Sequence, residues 1–171
     1  HEVAHGLGVK ETVNGLGSVD AALGNESSVW EEAKADILGL YMVCNLIDKG
    51  EIPLISKEAA ITTYIASLVR SVRFGAAGAH GRANMMCYNF LKDNGAFERN
   101  KDGLYHINYD KVPEVVAAWA ELIITTQATG NYMFAKEYDT NHAVVPEALS
   151  ADIANVNRGG VPVDIRFEFV W

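Results

Sequence analysis

The sequence predicts a mainly α, multi-helix domain with a short hairpin and a C-terminal strand. Apolar residues recur every three or four positions in several long segments, of which Ile37 to Ile47 is the clearest. The pair Asp102-Gly103 separates two short segments typical of a hairpin. Residues 161–171 alternate between apolar and polar side chains, which is typical of a strand.

Composition is consistent with one globular domain over residues 1–171, since 49% of the residues are apolar and 21% are charged. The chain has 14 basic and 22 acidic side chains, a formal net charge of −8. This charge argues against nucleic acid or an anionic membrane surface as a partner, because both favour basic surfaces. The longest apolar stretch is shorter than the roughly 20 residues that a bilayer crossing needs.

Two cysteines, Cys44 and Cys87, lie in apolar segments of helical pattern. We expect both to be buried free thiols, which is typical of proteins in a reducing compartment. The sequence therefore predicts a cytoplasmic protein.

The first half of the chain contains most of the predicted helices. Residues 1–8 resemble the end of a helix, and the Gly-, Asn- and Ser-rich residues 9–27 predict a loop or short elements. Ser28-Val29-Trp30-Glu31 has the spacing of a capping box, so we expect a helix from Ser28 to about Lys49-Gly50. Ser56 predicts the start of the next helix, which ends before Gly75.

The second half continues this pattern with shorter elements. In chain order we expect a helix over 79–93, strands over 97–99 and 104–108, a helix from Asp110 to Thr129, and helices over 132–138 and 146–156. Arg158-Gly159-Gly160 then breaks the chain before the C-terminal strand. No internal repeat or linker divides these elements.

The chain opens with His1-Glu2-Val3-Ala4-His5, a His-Glu-x-x-His motif. Two histidines four residues apart lie on one helix face, so both imidazoles can reach one Zn²⁺ while Glu2 meets the water that the ion activates. The alternative is a pair of surface histidines without a metal. Because the motif stands at the first residue, with no initiator Met, we expect an upstream portion of the same polypeptide.

A third zinc ligand is expected on another rigid element, because a catalytic zinc needs three protein ligands and an open position. The segment Glu-Glu-Ala-Lys-Ala-Asp at 31–36 places Glu32 and Asp36 four residues apart on one helix face. Glu32 could reach the metal, and Asp36 could bind the second ring nitrogen of a histidine ligand. Acidic residues are also common in a first helical turn, where they favour the helix dipole without binding anything.

Together, His-Glu-Val-Ala-His-Gly-Leu-Gly and Glu-Glu-Ala-Lys-Ala-Asp-Ile-Leu-Gly-Leu-Tyr resemble the two signature motifs of the dipeptidyl peptidase III family of zinc metallopeptidases. In that family the first motif is usually His-Glu-x-x-x-His and the second is close to Glu-Glu-Cys-Arg-Ala-Glu. This chain has the shorter first motif of some bacterial members, and Ala33, Lys34 and Asp36 replace Cys, Arg and Glu. The resemblance extends from His1 to about Phe90 and is weaker beyond it.

The resemblance implies a role for each of seven residues. One Zn²⁺ per chain is held by His1, His5 and Glu32, while Glu31 and Asp36 contact the ligands, Glu2 is the general base, and His80 stabilises the transition state. His80 lies in the Ala-His-x-x-Ala context that the family shows on a later helix. The alternative for His80 is a histidine at a helix N-terminus with a local hydrogen bond.

The resemblance further implies a catalytic domain that cleaves short peptides and releases dipeptides from their N-termini. The residues that hold the substrate in this family lie largely upstream, so the sequence names none of them. Two alternatives stay open: a non-catalytic peptide-binding or regulatory module that keeps the zinc-site fold, and a zinc hydrolase of non-peptide amides. Glu2 favours an enzyme, because a module that only binds peptides does not need a base.

Overall fold

The computed structural model describes residues 1–73, 75–160 and 167–168 as an α-helical structure with one antiparallel two-stranded sheet. The elements are α1 (Glu2–His5), α2 (Val19–Leu23), a 3₁₀ turn (Gly24–Glu26), α3 (Ser27–Asp48), α4 (Lys57–Val72), α5 (Ala79–Asp93), β1 (Phe97–Arg99), β2 (Tyr105–Ile107), α6 (Val112–Thr129), α7 (Tyr132–His142) and α8 (Glu147–Arg158). The mainly α prediction with a short hairpin is confirmed. Of the predicted C-terminal strand, residues 161–166 and 169–171 lie outside the described residues.

Helix α3 occupies the centre of the fold. Val29, Ala33 and Ile37 are each at most 1% exposed, and the helix packs against α1, α4, α5 and α6. A helix enclosed on several sides needs apolar or small residues around most of its circumference, and alanines at 33 and 35 allow this close packing. The acidic residues of its first turns, Glu31 and Glu32, are half-buried and lie at a fixed position at the edge of the core.

An aromatic cluster holds the N-terminal end of α3 against α6 and α7. The ring of the fully buried Trp30 lies 6.3 Å from Trp119, 6.1 Å from Phe134 and 5.8 Å from Tyr138. The indole Nε1 of Trp30 donates a hydrogen bond of 3.3 Å to the carbonyl oxygen of Ala135. Buried aromatic rings combine large apolar area with defined geometry. The cluster therefore fixes the orientation of α3 at Trp30, the residue that directly precedes Glu31 and Glu32.

Residues 9–27, predicted as a loop or short elements, contain two short elements: α2, where the Ser18 hydroxyl accepts from the Ala21 amide at 3.1 Å, and the 3₁₀ turn. The predicted capping box is wrong, because helix α3 begins at Ser27 and no side chain of the described residues caps its N-terminus. The capping box at Ser28 is unnecessary because the preceding 3₁₀ turn already supplies a backbone partner, the Gly24 carbonyl, to the first amide.

The later boundaries agree better with the sequence. Ser56 caps α4 by accepting from the Ala59 amide at 3.1 Å, and α5 has the predicted bounds. The hairpin pairs Phe97 with Ile107. Helix α6 starts two residues later than Asp110, and α7 continues to His142, past the predicted end.

Both cysteines are free thiols, as expected. Cys87 is buried as predicted, whereas Cys44 is only half-buried. Burial raises the pKa of the Cys87 thiol to about 12, which makes it unreactive at neutral pH. Within the part of the chain that the structure describes, no helix has the length and apolar character to cross a membrane.

Candidate metal centre

Packing of α1 on α3 brings His1, His5 and Glu32 to one point. The Nε2 atoms of the two histidines are 3.1 Å apart. Glu32 Oε2 lies 3.3 Å from Nε2 of His1 and 3.8 Å from Nε2 of His5. All three potential ligand atoms lie within 4.8 Å of one another, so one ion placed between them can contact each of the three side chains.

Two carboxylates bind the opposite ring nitrogens of these histidines. Nδ1 of His1 lies 2.6 Å from Asp36 Oδ1, and Nδ1 of His5 lies 3.0 Å from Glu31 Oε1. An ionised carboxylate only accepts hydrogen bonds, so in each neutral imidazole the proton is on Nδ1 and the Nε2 lone pair points towards the other ligands. This is the arrangement that orients histidines for a metal.

The Glu32 carboxylate shows how well these residues fit a cation. Its Oε2 atom is buried and has no hydrogen-bond partner among the residues that the structure describes, although His80 Nδ1 lies 3.1 Å away. This oxygen faces the unprotonated nitrogens of His1 and His5, so only a positive charge or a proton can relieve their mutual repulsion. Tetrahedral zinc with bonds of about 2.0–2.1 Å separates its ligand atoms by about 3.3–3.4 Å, close to the distances found here.

The Glu31 carboxylate is held in its ionised form by its neighbours. Burial raises the pKa of Glu31, but hydrogen bonds from Lys34 and His5 outweigh this effect and the net pKa is lowered. The second oxygen of Glu31 accepts from Gln127 Nε2 at 3.2 Å. The carboxylate that orients His5 is therefore itself fixed from two helices.

Glu2 lies at the open side of the group. Its side chain is 91% exposed, and one carboxylate oxygen is 4.0 Å from His1 Nε2. A carboxylate at this position can take a proton from a water molecule next to the potential ligands. Unlike Asp36 and Glu31, Glu2 does not hold the Nδ1 atom of a histidine, so its carboxylate is available for this proton.

His80 is brought to the same group from the first turn of α5. Its ring lies 5.9 Å from the ring of His1, and its side chain is 68% exposed. Gly81 allows the preceding loop to pack on this turn, since a Cβ there would collide with the Gly75 carbonyl and lie 2.8 Å from Ala76 Cα. His106 and His142, which lack metal-ligand spacing, lie outside the group of potential ligands found among the described residues.

A cleft of about 650 Å³ between α3, α4 and α5 opens beside these residues. His1, Asp36 and His80 line it, together with the hydroxyl residues Thr63, Ser67 and Ser71 of α4. Sequence reasoning did not assign this role to α4. The signal was present as hydroxyl residues four positions apart, which places them on one face of the helix.

Lys34 is a second residue that sequence reasoning missed. A lysine between two alanines in a long helix resembles an ordinary surface position. The side chain of Lys34 is nevertheless fully buried beneath the group of potential metal ligands. Burial lowers the pKa of Lys34, although its hydrogen bond to Glu31 opposes this change. The sequence contains no local pattern that separates such a lysine from an exposed one.

Two solved structures of whole enzymes are similar to this chain. The chain is 34% identical to dipeptidyl peptidase III from Caldithrix abyssi, with a TM-score of 0.90 over 96% of this chain and 32% of that one. It is 37% identical to dipeptidyl-peptidase III from Corallococcus sp. strain EGB, with a TM-score of 0.88 over 97% of this chain and 31% of the other. The resemblance to dipeptidyl peptidase III is confirmed.

The chain is also 31% identical to Nudix hydrolase 3 of Arabidopsis thaliana over 99% of this chain and 22% of that protein. No protein-family model matches the chain. It spans about a third of the dipeptidyl peptidase III structures and about a fifth of the plant hydrolase. The same residues thus match part of two differently named hydrolases, and the similarity to dipeptidyl peptidase III structures supports a peptidase.

Proposed function

We propose that this chain is a single domain, the C-terminal part of a larger catalytic region, in a zinc-dependent peptidase that releases dipeptides from the N-termini of short peptides. The observation that supports it best is the convergence of His1 and His5 on a buried Glu32 oxygen that, within the described part of the chain, has no hydrogen-bond partner. A zinc ion at this point would supply an activated water and polarise the scissile carbonyl.

The residues of the chain would bind the ion, orient its histidine ligands and transfer the proton. His1, His5 and Glu32 hold the ion, while Asp36 and Glu31 keep the two imidazoles in the correct tautomer. Glu2 takes a proton from the attacking water and passes it to the leaving amine, since its exposed carboxylate lies next to the ligands.

His80 and the adjacent cleft act on the peptide itself. An exposed imidazole 5.9 Å from the His1 ring can donate to the carbonyl oxygen as negative charge develops on it. The cleft of about 650 Å³ has the size of a small-ligand site. It is lined by the hydroxyl residues of α4 together with His1 and His80. We propose short peptides as its ligands and a cytoplasmic location, with neither nucleic acid nor membrane as a partner because the net charge is −8.

The experiment is performed on the intact protein with and without the substitution Glu2→Gln. Zinc content is measured directly, and hydrolysis is followed with dipeptidyl-naphthylamides and with peptides whose N-termini are free or blocked. The wild-type protein should contain one zinc and cleave only free N-termini. Glu2→Gln should keep its zinc and lose about 10²- to 10⁴-fold in kcat, the usual contribution of a general base.

Glu121→Gln is the matched control, since Glu121 is an exposed glutamate on α6 and is not one of the potential metal ligands. It should leave kcat and zinc content unchanged. Full activity in Glu2→Gln would refute the assignment of the base. Zinc without hydrolysis of any peptide in the wild-type protein would instead favour the non-catalytic, peptide-binding module.

A further inference from the structure

Lys34 connects the backbone and the side chain of the same zinc-binding histidine. Its Nζ donates to the His5 carbonyl oxygen at 3.2 Å and to the Leu7 carbonyl oxygen at 2.8 Å. It also lies 2.8 Å from Glu31 Oε1, the oxygen that binds His5 Nδ1. The three donors of the ammonium group thus have three acceptors.

The environment of Lys34 shows that this position is enclosed. The side chain is 0% exposed, so its charge depends on these partners for stabilisation. Gly8 has φ +78°, and a Cβ there would lie 3.1 Å from Lys34 Cδ. The turn after α1 therefore passes directly over the aliphatic part of the lysine, and a side chain at position 8 would disturb it.

Helix α1 ends at His5, and Lys34 contacts this C-terminal end. Its last carbonyl groups have no partner within the helix, and a cation at this end is electrostatically favourable. Lys34 supplies this cation from the central helix α3, on which Glu32 also lies.

We infer that Lys34 is a positioning residue that holds His5 at the zinc site through both its main-chain carbonyl and, by way of Glu31, its imidazole. This inference rests on the proposed function. It predicts that loss of the ammonium weakens zinc binding although Lys34 does not touch the ion. The path is short: Lys34 fixes Glu31, Glu31 fixes His5 Nδ1, and His5 Nε2 faces the metal.

The test compares zinc affinity of the intact protein by chelator competition at 25 °C for wild type, Lys34→Met and Lys34→Arg. Lys34→Met should raise the zinc Kd about 10- to 100-fold, as changes around metal-ligating histidines do. Lys34→Arg keeps the charge and the donors and should restore the Kd to within about threefold of wild type. A purely structural lysine would lower the melting temperature of the zinc-free protein without changing the Kd.

Lys10→Met is the matched control. Lys10 Nζ also donates to the His5 carbonyl, at 2.7 Å, but its side chain is exposed, and within the described part of the chain it forms neither a hydrogen bond nor an ion pair with Glu31. It should change the Kd by less than about threefold, because exposed polar contacts contribute little. A Kd for Lys34→Met equal to that of Lys10→Met would overturn the inference.

Two further variants keep the test decisive. If Lys34→Met does not fold, Lys34→Gln replaces it, since glutamine can donate to the carbonyls but carries no charge for Glu31. In a Glu31→Gln background the Lys34 substitution should have a smaller effect on the Kd than in wild type, because one of its two routes to His5 is already broken. Absence of zinc from the wild-type protein would overturn the inference and the proposed function together, whereas zinc binding without hydrolysis would overturn the proposed activity alone.

Discussion

Replacing Arg82 with methionine removes a cation that joins three elements near His80. Arg82 on α5 donates from Nε to Asp139 on α7 at 3.0 Å and from Nη2 to Glu26 in the 3₁₀ turn at 2.8 Å, with a further ion pair between Nη2 and the second oxygen of Asp139. The side chains of Glu26 and Asp139 are only 5% and 8% exposed. The substitution therefore leaves two buried carboxylates facing the position of the lost guanidinium.

Breaking a buried ion pair costs about 3–5 kcal/mol, because the remaining charge stays buried without compensation. Arg82 itself is 28% exposed, so water can partly replace it, and we expect a loss at the lower end, about 3 kcal/mol. For a domain of this size each kcal/mol lowers the melting temperature by roughly 2–4 °C, which gives a decrease of roughly 6–12 °C.

The assay is thermal unfolding followed by circular dichroism and calorimetry at neutral pH. Arg82→Lys is the first control and should lie between wild type and Arg82→Met, since lysine keeps the charge but cannot reach both carboxylates with a planar fork. Adding Glu26→Gln and Asp139→Asn to Arg82→Met should recover much of the lost stability, because no buried charge then remains. A melting temperature of Arg82→Met within about 2 °C of wild type would refute the reasoning.

Substitutions of two other aspartates, Asp152 and Asp36, test separate parts of the structure. The hydrogen bonds from Arg99 lower the pKa of Asp152 below its ordinary value, so this carboxylate stabilises the fold at neutral pH, and the stabilisation is lost as pH falls below about 4. Asp152→Asn should therefore melt below wild type at pH 7, with a difference that shrinks in acid; a constant difference from pH 7 to 3 would contradict this. Asp36→Ala, which removes the acceptor 2.6 Å from His1 Nδ1, should raise the zinc Kd about 10- to 100-fold, and Asp36→Asn, which retains an acceptor oxygen, should raise it less. A zinc Kd of Asp36→Ala within about threefold of wild type in competition measurements would show that the His1 contact is unimportant.

The sequence predicted the elements whose signals are local. Ser56 marks the start of α4 because its hydroxyl satisfies an amide three residues away. Gly130 marks the end of α6 because its positive φ of 56° suits glycine. In contrast, the sequence predicted only a loop or short elements where α2 lies, because a helix of five residues is too short to show clear periodicity and depends on its contacts with the rest of the fold.

In the candidate site, too, some features follow from local sequence spacing and others depend on tertiary packing. The spacing of His1 and His5, and that of Glu32 and Asp36, places each pair on one helix face whatever surrounds it. His80 was proposed from a family resemblance, and its approach to Glu32 within 3.1 Å depends on how α5 packs on α3. The cleft beside it depends on three helices and has no counterpart in any single segment.

The sequence by itself determined that the chain carries residue types and a one-turn spacing that suit a metal ion, because side-chain identity and spacing are properties of consecutive residues. Only the tertiary structure decided that a buried lysine lies beneath these residues and that the Glu32 oxygen faces two imidazoles without a hydrogen-bond partner among the described residues. Burial and long-range contacts arise from the packing of helices far apart in the chain, and the same lysine on an exposed helix face would have the same neighbours in sequence.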